Sequence, residues 1–370
     1  MLFGAFSAGG NTVQVIEEIL SQLGDCNPKA LVFFAAHSLD GALISHAFRE
    51  RYAGAEVIGC TTAGEFNEKN GGIGGLTVLA LPEDKVKRCV AGLAQFGEGR
   101  VTAVHGVVNA IAEKLRIDLR KADPARYVGI VLIDGMHAEE ERVNDMLGNM
   151  APLLSFAGGS AGDNLEFKET RVFQNGAASS HGAVFLLLDM NVPFRIIKTC
   201  SFKPLGESFT VTRANLSHRR VFELDGDLAV RVYADALGKA IDQLDNKDFA
   251  AHPLGLMIDG KPWIRSLKGF SPEGGIDFYC QISEGMEVFV MEATDIIAET
   301  AEAIESAKRQ LDGASGGLMF NCIFRRLDLE AKGLMQEHLD CFEGLSIAGF
   351  HTYGESWMGH MNHTLTGIIF

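Results

Sequence analysis

The 370-residue chain has no apolar run near the ~20 residues that a helix needs to cross a bilayer. It also lacks a basic surplus: 33 Lys and Arg against 48 Asp and Glu leave a net charge of −15. Affinity for nucleic acid or anionic membrane rests on neutralising phosphates, so both are poor partners, and the basic pairs Arg219-Arg220 and Arg325-Arg326 stand isolated. None of the seven cysteines (Cys26, Cys60, Cys89, Cys200, Cys280, Cys322, Cys341) forms a Cys-x-x-Cys pair. The odd count and irregular spacing exclude a disulfide framework or zinc ribbon and point to reduced thiols in a cytoplasm. No Walker A, GxGxxG, HExxH, GxSxG or EF-hand loop appears, which argues against an enzyme. The opening MLFGAFSAGG has neither the basic stretch nor the long apolar segment of a secretion signal. Proline is scarce at 9 residues while glycine reaches 42, a balance that favours tight turns at strand ends over disorder.

What is present is ordinary globular composition, 47% hydrophobic and 22% charged, so a sizeable core can form. At roughly 100–200 residues per domain the length suggests two domains. The first part alternates strand and helix patterns: a strand at 2–6, a helix at 12–23 with Asn11 as N-cap, a strand at 31–35, a helix at 39–52, and onward to a helix at 140–150. After about residue 155 strands dominate, with connections too short for helical crossovers, so antiparallel pairing is expected. The fold class is therefore α/β: two domains with mixed β-sheets flanked by helices, the first alternating α/β and then antiparallel strands. The boundary is placed near residue 220, giving domains 1–220 and 221–370.

One pattern occurs three times. IGCTTAGE at 58–65, AGGSAGD at 157–163 and AGFHTYGE at 348–355 each follow a helix pattern. Each joins a small hydroxyl-bearing segment, a glycine and an acid at a strand end. Such a turn lets backbone approach something closely while the acid satisfies backbone N–H groups. The stretch 349–366, GFHTYGESWMGHMNHTLT, gathers three histidines, a tyrosine, a tryptophan and two methionines. His351, His360 and His363 are candidate metal or haem ligands, with Phe350, Tyr353, Trp357, Met358 and Met361 as walls. The plainer reading is a surface hairpin with solvated histidines. A strand is expected at 317–324, followed by a helix at 329–342; within LMFNCIFRRL at 318–327 a strand places Phe320, Cys322 and Phe324 on one face and Asn321, Ile323 and Arg325 on the other. Arg265, in a strand at 262–267, is a further candidate anion-binding residue. Cys60 and Cys322 would be nucleophiles only with a neighbouring base or positive charge.

The segments IGCTTAGE at 58–65 and AGGSAGD at 157–163 resemble the N-terminal domain of the FIST family. HPLG at 252–255, FNCIFR at 320–325, GFHTYGE at 349–355 and NHTLT at 362–366 resemble its C-terminal domain. The family consists of sensory modules of signal transduction. The ending GESWMGHMNHTLTGI is similar to a two-domain group within it that binds haem, senses nitric oxide and regulates a histidine kinase or a cyclic-di-GMP enzyme. That resemblance implies haem as cofactor, with His360 as the first iron ligand and His351 as the second choice. The expectation is a cytoplasmic sensor without catalytic turnover. Its ligand-binding residues would be Cys60, Thr61, Gly64, Gly159, Asp163, Arg265, Asn321, Arg325, Tyr353, Glu355 and Asn362. Three alternatives stand beside it. A haem-free receptor for an amino acid would pair Glu355 and Arg325 with ammonium and carboxylate groups. A cysteine-dependent enzyme would need a base beside Cys60 or Cys322. An interaction scaffold would have no enclosed pocket.

Overall fold

The structure, a computed structural model, describes residues 2–97 and 99–370. The chain forms two compact units. The larger comprises residues 1–198, 300–360 and 365–370, and the smaller comprises 199–299 and 361–364.

The larger unit is built from one motif used three times. The first repeat runs β1 (Phe3–Ser7), α1 (Thr12–Leu23), β2 (Pro28–Ala36), α2 (Gly41–Arg51), β3 (Glu56–Thr62), a short hairpin β4 (Glu65–Phe66) and β5 (Gly71–Gly72), then β6 (Leu76–Pro82). The second runs β7 (Val86–Gln95), α3 (Arg100–Leu115), β8 (Tyr127–Ile133), α4 (Glu140–Met150), β9 (Ser155–Ser160), β10 (Val172–Gln174), β11 (Ala177–Ser179) and β12 (Gly182–Met190). The third starts at β13 (Arg195–Cys200), where the chain passes into the smaller unit. There β14 (Phe202–Asn215), β15 (Arg220–Leu224), β16 (Asp227–Leu228), α5 (Ala229–Ala236), α6 (Asn246–Ala251), β17 (Leu254–Ile258), β18 (Lys261–Arg265), β19 (Leu267–Phe270), β20 (Ile276–Phe278) and β21 (Glu287–Ala293) make an eight-stranded antiparallel sheet with short helices. The third repeat then resumes with α7 (Ile296–Leu311), β22 (Gly316–Cys322), α8 (Ile323–Lys332), α9 (Met335–Asp340), β23 (Ser346–Thr352), β24 (Glu355–Trp357), β25 (His360–Met361) and β26 (Thr364–Ile369).

The three sheets have corresponding orders: β1-β6-β2-β3-β10-β11, β7-β12-β8-β9-β24-β25 and β13-β26-β22-β23-β4-β5. Each holds one parallel pair made by a helical crossover: Ala30–Ala36 beside Glu56–Thr62, Val128–Ile133 beside Ser155–Ser160, and Gly316–Cys322 beside Ser346–Thr352. The last long strand of each repeat returns antiparallel to the first strand of that pair. The short hairpins are exchanged in a ring. β4 of the first repeat extends the third sheet, β10 of the second extends the first, and β24 of the third extends the second.

Strand periodicity explains the packing. Successive side chains point to opposite faces, and strands covered on both sides read as continuous apolar runs. Val32, Phe34, Ile130, Leu132, Leu318, Phe320 and Phe350 point to a shared central core. Phe34 lies 4.5 Å from Phe350 and 6.0 Å from Phe320, ring centre to ring centre. The alternate residues Leu31, Phe33, Val131, Ile133 and Met319 face outward into three separate helix-covered clusters. At ~1.5–3 kcal/mol for each large apolar side chain buried, these layers dominate the stability. The helices carry local start signals. Asn11 caps α1 by accepting from Gln14 N at 3.0 Å, and Gln14 returns the contact to Asn11 N at 3.3 Å.

The strand expected over 317–324 runs two residues past the observed one. β22 stops at Cys322, its last residue paired with β23, and α8 begins at Ile323. Ile323, Arg326 and Leu329 then recur at helical spacing on the buried face. The helix expected at 329–342 is two helices, α8 and α9. Gly333 separates them at φ 69°, a left-handed conformation that glycine adopts without steric cost.

Candidate ligand cleft and the strand-end turns

The three turns recognised in the sequence occupy equivalent places, just after β3, β9 and β23. They also bond to one another. Ala63 N donates to His351 O, His351 N to Gly64 O, Gly162 N to Thr61 O, and Ser160 N to Gly354 O. A Cβ on Gly162 would sit 2.7 Å from Ala63 N, and one on Gly159 would sit 2.7 Å from Thr352 Cγ2. These glycines therefore serve close packing of turn on turn.

Most acids and cations of this region are consumed internally. Glu65 is fully buried, accepts from Thr62 Oγ1, and accepts from Gly75 N at 3.0 Å. Burial raises its carboxyl to about 7, against the opposing pull of those donors and of the Arg326 charge. Glu355, also fully buried, accepts from Thr352 Oγ1 at 2.5 Å. Arg325 is 1% exposed and donates to Asn321 Oδ1 at 2.8 Å and to Thr300 Oγ1 at 2.7 Å. Asn321 Nδ2 in turn meets His351 Nδ1 at 3.0 Å. Arg326 donates to Ala63 O at 2.7 Å.

Asp163 differs. It accepts from the backbone N–H of Phe167, Lys168 and Glu169 at 2.6–3.1 Å and from the Tyr353 hydroxyl. Burial would raise its carboxyl, but these four donors outweigh it and hold it below the usual aspartate range. The loop that Asp163 organises forms one wall of a cleft of about 270 Å³ at the C-terminal ends of β2 and β3. In open α/β sheets this is the end where ligands bind. Thr61, Asp163, Leu39 and Phe173 form its buried part, and His37, Glu166, Lys168, Glu169 and Arg171 its charged rim. The rim is already paired: Lys168 Nζ to Glu166 Oε2 at 2.8 Å, Arg171 Nη2 to Glu169 Oε2 at 2.8 Å, and His37 Nε2 to Glu166 Oε1 at 3.1 Å. Exposed pairs of this kind contribute little to stability and separate readily for a ligand.

Of the residues proposed from sequence, Thr61 and Asp163 reach this cleft, and Tyr353 braces it through Asp163. Gly64, Gly159 and Glu355 belong to the packed turns, while Asn321 on β22 and Arg325 on α8 are bonded to each other in the interior. Arg265 and Asn362 lie in the smaller unit. Arg265 donates to the Gln281 and Ile264 carbonyls at 3.2 Å, and Asn362 Oδ1 accepts from Cys280 Sγ at 3.0 Å. Cys60 is fully buried, and burial followed by the Glu65 charge pushes its thiol well up, the opposite of an activated nucleophile. The rim residues His37, Glu166, Lys168, Glu169 and Arg171 were missed. The one signal for the last four is a dense charge run directly after the AGGSAGD turn, and His37 has none.

The solvated-hairpin reading of the histidines fails, because His351, His360 and His363 are 1%, 3% and 4% exposed. The haem expectation also fits poorly. The His351 ring lies 5.1 Å from that of Phe66 with its Nδ1 on Asn321, and burial depresses its basicity well below the usual histidine range. His360 packs so closely on Gly354 that a Cβ there would be 2.0 Å from Cε1. Phe350 is a central core residue and Met358 is 78% exposed, so the imagined walls do not converge. Neither the cleft nor a second hollow of about 560 Å³ beside α3, lined by His105, Asn109, Glu113 and Arg116 among others, reaches His351 or His360.

The FIST N domain family matches residues 29–227, more than half of the chain, and the FIST C domain family matches residues 229–357. This chain belongs to the FIST family. FIST domains are sensor domains, associated with the detection of small ligands in signal transduction. No curated relative matches the chain. Within this FIST protein the N-domain match covers β2 to β16, and hence the whole cleft of the first and second repeats. Among its described residues no helix is long and apolar enough to cross a membrane.

Proposed function

We propose that this FIST protein senses a small zwitterionic molecule of amino-acid size in the cleft at the ends of β2 and β3. The observation that carries the reading is the composition of that cleft. Two cations, Lys168 and Arg171, and two anions, Glu166 and Glu169, ring a buried floor of Thr61, Asp163, Leu39 and Phe173 in about 270 Å³. A ligand carboxylate would take Arg171 from Glu169, and a ligand ammonium would take the released acid, so both charges stay paired. The volume lies at the small end of ligand sites, which suits a ligand without a large ring system. Because Asp163 ties the cleft loop to Tyr353, occupancy would be felt in the third repeat as well as the second. A partner protein would read that change by differential affinity for the two states.

The cysteine-enzyme alternative draws no support from a buried, proton-holding Cys60. The haem and nitric-oxide version, with a histidine kinase or cyclic-di-GMP enzyme as its partner, requires His351 or His360 to be uncovered first. The test is a thermal-shift screen with the common amino acids and their decarboxylated and deaminated analogues, followed by calorimetry. A ligand at 100 times its Kd adds about 2.7 kcal/mol to stability. The expected result is a shift that needs both ligand charges and weakens about tenfold or more in Arg171→Ala. No shift with any amino acid, or affinity unchanged in both Arg171→Ala and Glu169→Ala, would sink the proposal.

A further inference from the structure

We propose that the second repeat carries a site for a divalent first-row transition-metal ion, built from Asp134, His137 and His181. None of these residues lines the ligand cleft, so the inference does not depend on it. Asp134 follows the last residue of β8. The antiparallel register of β12, Ala183 opposite Ile133, brings His181 to the same end. Asp134 N donates to Gly182 O at 2.9 Å and fixes that approach. The tight turn after Asp134, with Met136 N on Asp134 Oδ1 at 3.0 Å, returns His137 Nδ1 to the same carboxylate at 2.7 Å.

Three side chains from two separate segments, the turn after β8 and the residue before β12, thus converge. One carboxylate oxygen and one ring nitrogen from each histidine all lie within 4.8 Å of one another. The two imidazoles stack with ring centres 4.0 Å apart and planes 22° from parallel. The second observation comes from unsatisfied atoms. Asp134 is fully buried, yet its Oδ2 has no hydrogen-bond partner, and neither does the buried Nε2 of His181. A buried carboxylate oxygen and a buried imidazole nitrogen in one three-residue cluster, both without a hydrogen-bond partner, are costly as they stand. A cation between them would satisfy both at once.

Two imidazole nitrogens and one carboxylate oxygen suit Zn²⁺, Fe²⁺, Co²⁺ or Ni²⁺. Mg²⁺ and Ca²⁺ prefer all-oxygen ligands. His137 would exchange its contact with Asp134 Oδ1 for the ion while its proton sits on Nε2. The supporting contacts are in place. Ser179 Oγ donates to His181 O at 3.0 Å, Phe96 N donates to the same carbonyl at 2.8 Å, and the Phe96 ring meets the His181 ring edge-on at 5.6 Å. Three protein ligands leave a coordination position open, and the 45% exposure of the His137 side chain gives it access to solvent.

The test uses the full chain stripped with a chelator and titrated with Zn²⁺ by calorimetry and with Co²⁺ by visible absorption. The expected result is one saturable ion per chain, a Co²⁺ ligand-field band, no competition from Mg²⁺, and binding at least about tenfold weaker in His137→Ala, His181→Ala and Asp134→Asn. His137 is exposed, so His137→Ala decides the matter even if Asp134→Asn fails to fold. Absence of saturable binding, or unchanged stoichiometry and affinity in a folded His137→Ala protein, would overturn the site.

Discussion

The turns after β3 and β9 share a hydroxyl residue, a glycine and an acid at the same spacing, yet they do different things. In Thr62–Glu65 the glutamate folds back onto its own threonine and disappears into the interior. In Ser160–Asp163 the acid is one methylene shorter. Ser160 Oγ turns to Glu140 Oε1 at 3.0 Å, and Asp163 gathers the backbone of the following loop. The third turn, Thr352–Glu355, repeats the first. The comparison teaches that this motif belongs to the fold. It is a latch holding three repeats together, and the candidate binding function appears where one copy departs from the pattern.

The largest expected effect tests that departure. Asp163→Ala leaves three backbone N–H groups and the Tyr353 hydroxyl without their acceptor, and contacts to a buried charge are worth ~1.5–3 kcal/mol apiece before any compensation by water. Unfolding in denaturant should show a loss of about 3 kcal/mol or more. The pH dependence follows from the lowered folded-state carboxyl. Its stabilisation is present above the unfolded value of ~3.9 and is lost as pH falls through the folded one, so wild type and Asp163→Asn should converge in acid. A cost below about 0.5 kcal/mol would mean that the loop holds without Asp163 and that the contrast with Glu65 is empty.

Glu65→Gln probes the other side of the comparison, with the opposite sign. The folded carboxyl titrates at about 7 against 4.5 for a free one. Between those values the folded state holds more protons than the unfolded, so wild-type stability should fall as pH rises from about 4.5 to 7 and then level off. Gln mimics the protonated acid and removes that slope. Denaturation curves at pH 5 and pH 8 should show the variant gaining about 2–3 kcal/mol on wild type between them. Parallel pH profiles would show that Glu65 is ionised at little cost, and that the two turns differ less than their hydrogen bonds imply.

Much of the fold was legible beforehand. Continuous apolar strands, capped amphipathic helices and the thrice-used turn are local patterns, and the strand–helix alternation gave the α/β class. The ring exchange of hairpins was not legible, because β4, β10 and β24 are two or three residues long and pair with strands of another repeat. Nor was the passage of the chain through the smaller unit between β13 and α7, since β13 finds its neighbour β26 more than 150 residues later. The strand at 317–324 was drawn two residues too long because Ile323 and Phe324 continue the apolar run of β22, and tertiary burial placed them in α8 instead. In the site, Thr61 and Asp163 were visible through the motif. Arg171 and Glu169 were not, since exposed charges in a loop carry no period. The histidines of 349–366 were conspicuous as residues, but sequence does not show that Phe66 and Gly354 would close over them.

His338 offers the smallest expected effect and a sharp one, because it sits where the first repeat's hairpin meets the third repeat's helices. Its ring lies 5.7 Å from that of Phe66 on β4 and 5.2 Å from that of Phe342. It is fully buried, and neither ring nitrogen has a hydrogen-bond partner. Burial, with a smaller contribution from the Arg325 charge, depresses its pKa to about 3. The imidazole is thus a neutral aromatic filler carrying two unsatisfied polar atoms, and Phe should replace it at a gain of up to about 1 kcal/mol at neutral pH. The sign in acid is fixed by the lowered pKa. The unfolded chain takes up a proton below about 6.5 that the folded one refuses until about 3, so wild type loses stability across that window and His338→Phe does not. At pH 5 the variant's advantage should have grown by about 2 kcal/mol in urea unfolding. A destabilised variant with an unchanged acid slope would mean that the ring is held by a polar contact, and that the hairpin exchange rests on more than apolar packing.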